Sequence, residues 1–377
     1  MNQNTSNILA TGVSRLKHVD RVRFGPEAFG DLQVDLADRR SLARGQGSNT
    51  RGVFLVDHYF TDSEVITAAL PIETADCFEY VDTTDEPTTT GIDDLTSRIV
   101  DRVGSDPCFV VGIGGGTTMD TAKAVSNLLG NGGKAADYQG WDLVPGPGVY
   151  KIGVPTLSGT GAEATRTCVM INETTGLKLG MNSHFTVYDS VILDHSLTAT
   201  VPRNQYFYSG MDAYIHAFES LQGGYRNPLS DAFSQQCIVL TRGVFESDDM
   251  MEDSAREQLM VASYLGGVAI GASYVGVLHP VSAALSVVLG IHHCEANCIA
   301  MRGMERFYPQ EYEEFWRFAD KQGVEIRSGV ARDLSDQEYR RLIDSTVVHE
   351  KPLTNALGPN FRSILTDEAV VEVFRSL

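Results

Sequence analysis

The sequence predicts two domains, an α/β domain over residues 1–190 and an all-α domain over residues 191–377. Three observations carry this. A chain of 377 residues exceeds the size of one ordinary core. Its first half alternates β-rich runs with helical spacing, the pattern of a parallel sheet covered by helices on both faces. After about Asp194 strand signals become rare and long helical segments take over, with Pro202 punctuating the change.

The elements follow in order. Gly52–Asp57 reads as a buried strand ending in an acid. Cys108–Gly112 reads as a second strand, followed by helical spacing from Thr118 to Leu129, and Tyr150–Pro155 as a third. Helical patterns then cover Tyr208–Leu221, Asp231–Glu246 and Ser254–Leu278. No internal repeat or low-complexity tract interrupts them.

Composition narrows the class. An apolar fraction of 42% is enough to bury a sizeable core without cross-links. The formal charge of −19 argues against nucleic acid, whose phosphates require a basic face, and against an anionic membrane surface. Solubility is the simplest consequence of so much acid. The longest apolar run, near Val281 to Ile291, is broken by serines and falls short of the ~20 residues of a membrane span. The first 24 residues contain no apolar core of a signal peptide. Six scattered cysteines (77, 108, 168, 237, 294 and 298), with no CxxC pair, suggest reduced thiols and a cytoplasmic location.

Four motifs bear chemistry. In Gly112-Ile-Gly-Gly-Gly-Thr-Thr-Met-Asp-Thr-Ala-Lys123, glycines 114 to 116 sit where a strand gives way to a helix. A phosphate can approach bare backbone there and meet the free N–H groups of a helix start, with Thr117 or Thr118 as the expected cap. Taken alone the turn serves a nucleotide or merely reverses the chain, since it is not GxGxxG. Asp57, at the end of an early strand, suits a ribose diol and repels a 2′-phosphate, although taken alone a surface acid at a strand end is the favoured reading. Pro155-Thr-Leu-Ser-Gly-Thr-Gly-Ala-Glu163 offers the hydroxyls of Thr156, Ser158 and Thr160 to a polar ligand, or forms an ordinary turn.

The fourth motif is the most specific. Asp212 and His216 are four apart in a helical segment and leave one face. His279 and His293 follow, 293 − 279 = 14 residues apart. One carboxylate and three imidazoles make a mixed N/O site suited to Fe²⁺, Zn²⁺ or Mn²⁺. A lone histidine on an apolar face is usually core, and only the full set points to a metal. Periodicity does not separate His293 from its neighbour His292.

Together, GIGGGTTMDTAK, PTLSGTGAEAT, GMDAYIHAFE and VLHPVSAALSVVLGIHHCEAN resemble the iron-containing (group III) alcohol dehydrogenase family, from about Val19 onward. The resemblance implies a dehydroquinate-synthase-like architecture. An N-terminal nucleotide-binding α/β domain precedes an all-α metal-binding domain, with the active site in the cleft between them. It implies a divalent metal, Fe²⁺ first, on Asp212, His216, His279 and His293; the last is preferred to His292 because it precedes the Cys-Glu-Ala-Asn stretch. It implies NAD(P) held by Asp57, Gly115, Gly116, Thr117, Asp120, Thr156, Ser158, Thr160 and Lys178, with Asp57 favouring NAD. A homodimer is the family default.

Two departures stand out. Where the family has a second histidine four residues after His279, this chain has Ala283, and Leu157 replaces a common hydroxyl residue. With that imidazole missing, the proton can leave through His292, a ribose hydroxyl or water, and Asp212 and His293 complete the catalytic candidates. The wording SGTGAEATRTCVM and HHCEANC is similar to members that oxidise the C8 alcohol of 3-deoxy-manno-octulosonate (Kdo) to an aldehyde for lipopolysaccharide amino sugars. That similarity implies coupling to a pyridoxal-phosphate aminotransferase, Arg166 as a cation for the sugar acid, and oxygen as an alternative acceptor. Rival expectations are another small polyol or primary alcohol, a dehydroquinate-synthase-like lyase, or a binding protein without turnover.

Overall fold

Val53 to Val56 are four consecutive apolar residues with no exposed surface. Such a run suits a strand covered on both faces. It forms the middle of β2 in the first of two compact units of the computed structural model, which describes residues 12, 13 and 15–377. Of the stretch expected to lack a signal peptide, residues 1–11 and 14 lie outside the described residues. One unit holds Lys17–Leu157 and Ala162–Thr200, while the other is mainly Val201–Leu377 and takes in Ser158–Gly161.

The first unit runs β1 (Arg21–Phe24), α1 (Leu32–Gln46), β2 (Gly52–Asp57), α2 (Glu64–Thr67), β3 (Cys77–Val81), α3 (Thr89–Val103), β4 (Phe109–Gly114) and α4 (Gly116–Asn131). It continues with β5 (Gly140–Trp141), β6 (Lys151–Pro155), β7 (Thr167–Asn172), β8 (Leu177–Asn182) and β9 (Ser190–Leu193). Six strands form a fully parallel sheet in the order β1-β9-β6-β4-β2-β3, and β5-β8-β7 form a second, smaller sheet. From β2 the chain moves outward to β3, and from β4 it moves the other way to β6. The order therefore reverses between β2 and β4, and open parallel sheets take ligands at the carboxyl ends of strands flanking such a point. Phe54, Val56, Phe109, Val111, Ile113, Ile152, Val154 and Ile192 fill the core beside the sheet.

Lys123 and Lys151 are both buried in this unit. Lys123 is fully enclosed and donates to the carbonyls of Ala162 and Thr167 and to Thr165 Oγ1, tying α4 to the entry of β7. Lys151 opens β6 with 2% exposure, 3.7 Å from Asp189. Burial pushes its ammonium down to about 8 against the attraction of Asp189.

The second unit is helical, with α5 (Arg203–Gln222), α6 (Pro228–Glu246), α7 (Asp253–Ala272), α8 (Leu278–Leu289), α9 (His293–Ala300), α10 (Pro309–Gln322), α11 (Asp336–Val347), α12 (Glu350–Leu357) and α13 (Asp367–Arg375). No strand occurs among its described residues. α5 is buried almost all round from Tyr206 to Ser220, as a central helix must be. The Ser158–Gly161 segment lies against α5 and α7 where only glycine fits. A Cβ on Gly159 would come 1.6 Å from the Ser209 carbonyl oxygen, and one on Gly161, at φ +61°, 2.5 Å from the Gly267 Cα.

Two expectations are corrected. The helix read over Ser254–Leu278 ends at Ala272, where Ser273 turns its hydroxyl back on the Ala269 carbonyl, and α8 starts afresh at Leu278. Gly271 and Gly276 flank the break and are its signal in the sequence. Thr117 and Thr118 do not cap α4; Gly115 is the N-cap and both threonines lie in the first turn. No described helix is long and apolar enough to cross a membrane.

Lys151 yields a stability prediction. Its folded pKa is depressed below the unfolded value, so the charged form opposes folding. The penalty is full below about pH 8 and fades as pH rises toward the unfolded value of 10.5. Lys151→Met is expected to stabilise the protein by about 3 kcal/mol at pH 7, with the gain vanishing near pH 10.5. Thermal melts across that range check it.

Candidate metal centre and nucleotide loop

Asp212 lies at the middle of α5 with no exposed surface. A buried carboxylate must be met by donors or cations, and the surrounding chain supplies both. His216, one turn on, places Nε2 3.4 Å from Asp212 Oδ1. His279, in the first turn of α8, places Nε2 3.2 Å from the same oxygen. His293, the first residue of α9, places Nε2 3.7 Å from Asp212 Oδ2. Asn297, one turn further along α9, donates its amide to Oδ1 at 2.7 Å.

Donors at about 2.1 Å from a common tetrahedral centre stand roughly 3.4 Å apart, and the three Nε2 atoms lie 3.2 to 3.7 Å from the Asp212 oxygens. The ligand atoms of Asp212, His216 and His279 lie within 4.8 Å of one another. His293 stands at the margin, its side chain 30% exposed. The rings of His216 and His279 stack at 4.8 Å with an interplanar angle of 12°. This donor set fits a divalent cation.

The electrostatics agree. Burial alone would raise Asp212, but the neighbouring His216 and His293 and the His279 hydrogen bond hold it well below the usual carboxylate range. Burial lowers His216 to about 4 despite Asp212, leaving a neutral imidazole able to offer a lone pair. His279 is pushed the other way. Burial would lower it, yet hydrogen bonds to Asp212 and Glu219 and their charges carry it up to about 9. Two buried carboxylates flanking one ring call for positive charge between them.

Other expected residues fall differently. His292 is exposed at the N-cap of α9, while its neighbour His293 turns toward Asp212. Ala283 lies on α8, one turn after His279. Cys294 Sγ stands 3.9 Å from Asp212 Oδ2.

In the first unit, Asp57 ends β2 and glycines 114 to 116 link β4 to α4, so both flank the point where strand order reverses. Asp57 Oδ1 accepts from Tyr59 N–H at 3.0 Å and Thr83 Oγ1 at 2.9 Å, and Oδ2 lies 3.5 Å from Gly115 N. Gly115, Gly116 and Thr117 are partly exposed at the start of α4, where the first N–H groups of a helix have no partner within it. The buried Thr118 Oγ1 has no hydrogen-bond partner. Thr156 is buried and donates its N–H to the Gly114 carbonyl at 3.0 Å.

Three expected cofactor or substrate residues are already engaged within the unit. Asp120 accepts from Val169 N–H at 2.8 Å and lies 3.4 Å from Lys123 Nζ. Lys178 Nζ pairs with Glu86 at 2.6 Å. The Arg166 guanidinium pairs with Asp142. In the second unit, Ser158 Oγ is buried without a hydrogen-bond partner, and Thr160 is half-buried on the same segment.

Sequence reasoning missed Glu219, Tyr308 and Asn297. Glu219 had a usable signal, because it stands seven residues after Asp212 and three after His216, on the same helical face. Tyr308 had none, being distant in sequence.

Comparisons with known proteins agree with this architecture. Residues 21–195 match Iron-containing alcohol dehydrogenase, and residues 206–331 match the Fe-containing alcohol dehydrogenase family, C-terminal. The chain is 37% identical over 186 residues to sulfoacetaldehyde reductase of Bilophila wadsworthia, covering 49% of this chain and 48% of that protein. It is 32% identical over 197 residues to NAD-dependent methanol dehydrogenase of Bacillus methanolicus, covering 51% of each. These matches span about half the length of the curated relatives. The fold is that of sulfoacetaldehyde reductase from Bifidobacterium kashiwanohense, solved in complex with NAD⁺. The TM-score is 0.77 at 21% identity, covering 97% of this chain and 98% of that one. With both halves matched and the fold shared from end to end, the chain belongs to the iron-containing alcohol dehydrogenase family.

Proposed function

We propose that this chain is a divalent-metal-dependent, nicotinamide-linked oxidoreductase that interconverts a primary alcohol and its aldehyde. The observation that supports it is the convergence of three imidazole nitrogens on the buried Asp212 carboxylate. When bound, a divalent cation supplies a Lewis acid that favours loss of the alcohol proton, and a nicotinamide supplies the hydride acceptor. Asp212, His216, His279 and His293 would hold the cation, iron first, as the family's name suggests. Gly115, Gly116 and Thr117 would offer backbone N–H groups to a pyrophosphate, and Asp57 would accept from a ribose diol. Thr156, Ser158 and Thr160 would add hydroxyl contacts. Asp120 and Lys178 would also face the cofactor, and each braces the unit as well, Asp120 at the Val169 N–H and Lys178 at Glu86.

Two substrates lead. Sulfoacetaldehyde comes from the relative 37% identical over half the chain. Kdo comes from the wording of the sequence motifs, and the curated relatives named above do not support it. Arg166, the cation invoked for its carboxylate, is also taken up by Asp142. The coupled aminotransferase and oxygen as acceptor stand or fall with Kdo, whereas the homodimer is a separate proposal.

The deciding experiment is an anaerobic assay of iron-loaded protein, with NADH and sulfoacetaldehyde in one arm and NAD⁺ and Kdo in the other. Nicotinamide turnover matched by product in either arm supports the proposal and selects the substrate. Aldehyde formed from Kdo only in oxygen, without nicotinamide change, would replace the dehydrogenase reading with an oxidase. Asp212→Ala is expected to abolish stoichiometric metal binding, measured by elemental analysis, and to remove the rise in melting temperature that metal gives the wild type. His292→Ala is expected to leave kcat within about threefold, given its exposure; a loss of about a hundredfold would restore it as the proton-moving group.

A further inference from the structure

Glu219 is 1% exposed on α5, and its carboxylate is fully engaged. Oε1 accepts from the Leu278 N–H at 2.7 Å and from the Tyr308 hydroxyl at 2.9 Å. Tyr308 in turn accepts from the Val277 N–H at 3.0 Å. Oε2 lies 2.6 Å from Nδ1 of His279, whose Nε2 faces Asp212 at 3.2 Å. Asp212 and Glu219, two helical turns apart, thus grip the two nitrogens of one imidazole. The same carboxylate also pins the backbone from which that imidazole grows. Gly276 keeps the space open, since a Cβ there would come 2.3 Å from the Tyr308 hydroxyl and 2.7 Å from Glu219 Oε1.

We propose that Glu219 is a positioning residue that selects the His279 tautomer with its proton on Nδ1, so that the Nε2 lone pair is presented beside Asp212 to a divalent cation. A carboxylate only accepts, so a nitrogen facing one carries a hydrogen, and Glu219 is the nearer carboxylate, at 2.6 Å against 3.2 Å for Asp212. A cation taking the place of the hydrogen on Nε2 leaves a neutral ring with its proton on Nδ1. Fixing the ring's orientation before binding removes a reorganisation that would otherwise weaken affinity. Glutamine at 219 loses this selectivity, because its amide can accept from Nδ1 or donate to it. This inference rests on the metal reading above and assigns a role to a residue outside the four candidate ligands.

The test is zinc titration of the full-length, chelator-stripped protein by competition with a chromophoric chelator, for wild type, Glu219→Gln and Tyr308→Phe. Failure of the wild type to bind zinc would remove the metal reading itself. With wild-type binding established, Glu219→Gln is expected to weaken zinc about 10–100-fold. Tyr308→Phe, which removes a hydrogen bond from the same carboxylate without touching His279, is expected to weaken it less than about threefold. Equal affinity of Glu219→Gln and wild type overturns the proposal. So does an equal loss in Tyr308→Phe, which would mark a general loosening of the network. If Glu219→Gln does not fold, long-range ¹H–¹⁵N spectra of zinc-loaded, histidine-labelled wild type decide the matter, with His279 assigned by its loss in His279→Asn. A proton on His279 Nδ1 supports the proposal, and a proton on Nε2 overturns it.

Discussion

The helical unit is organised around a carboxylate that cannot reach water. Asp212 sits at the centre of a helix buried on nearly every side, and a lone charge there would be prohibitively costly. The structure answers by bringing three further groups from α8 and α9 to the same two oxygens. The starts of two helices, at Leu278 and His293, are placed so that a histidine in the first turn of each faces Asp212. Much of the local architecture can be read as the consequence of satisfying that one group.

A comparable economy governs the α/β unit. Its parallel sheet reverses strand order between β2 and β4, and the two strand ends that flank the reversal carry Asp57 and the glycine loop. Parallel strands leave their carboxyl ends open at such a point because the crossover helices depart to opposite sides. The buried Lys123 and the carboxylate of Asp120 then hold the surrounding strands and loops by hydrogen bonds.

Glu219 extends the logic of the helical unit by one layer. It meets no ligand position itself, yet it joins α5, the backbone entering α8 and Tyr308 through one carboxylate. Its partners come from segments 59, 60 and 89 residues away in sequence.

What the sequence by itself determined was local. Runs of buried apolar residues set the strands, a 3.6-residue period set most helices, and the four-residue step from Asp212 to His216 set half of the polar cluster. Those patterns depend only on neighbours within two turns or one strand, so they survive without a fold. Tertiary structure alone decided the rest. It brought Asn297 and Cys294 of α9 to the Asp212 carboxylate beside His293. It broke the long helix at Ala272, and it committed Arg166, Lys178 and Asp120 to internal partners. Hydrogen bonds and ion pairs between distant segments made those choices, and no spacing along the chain encodes which distant group will arrive.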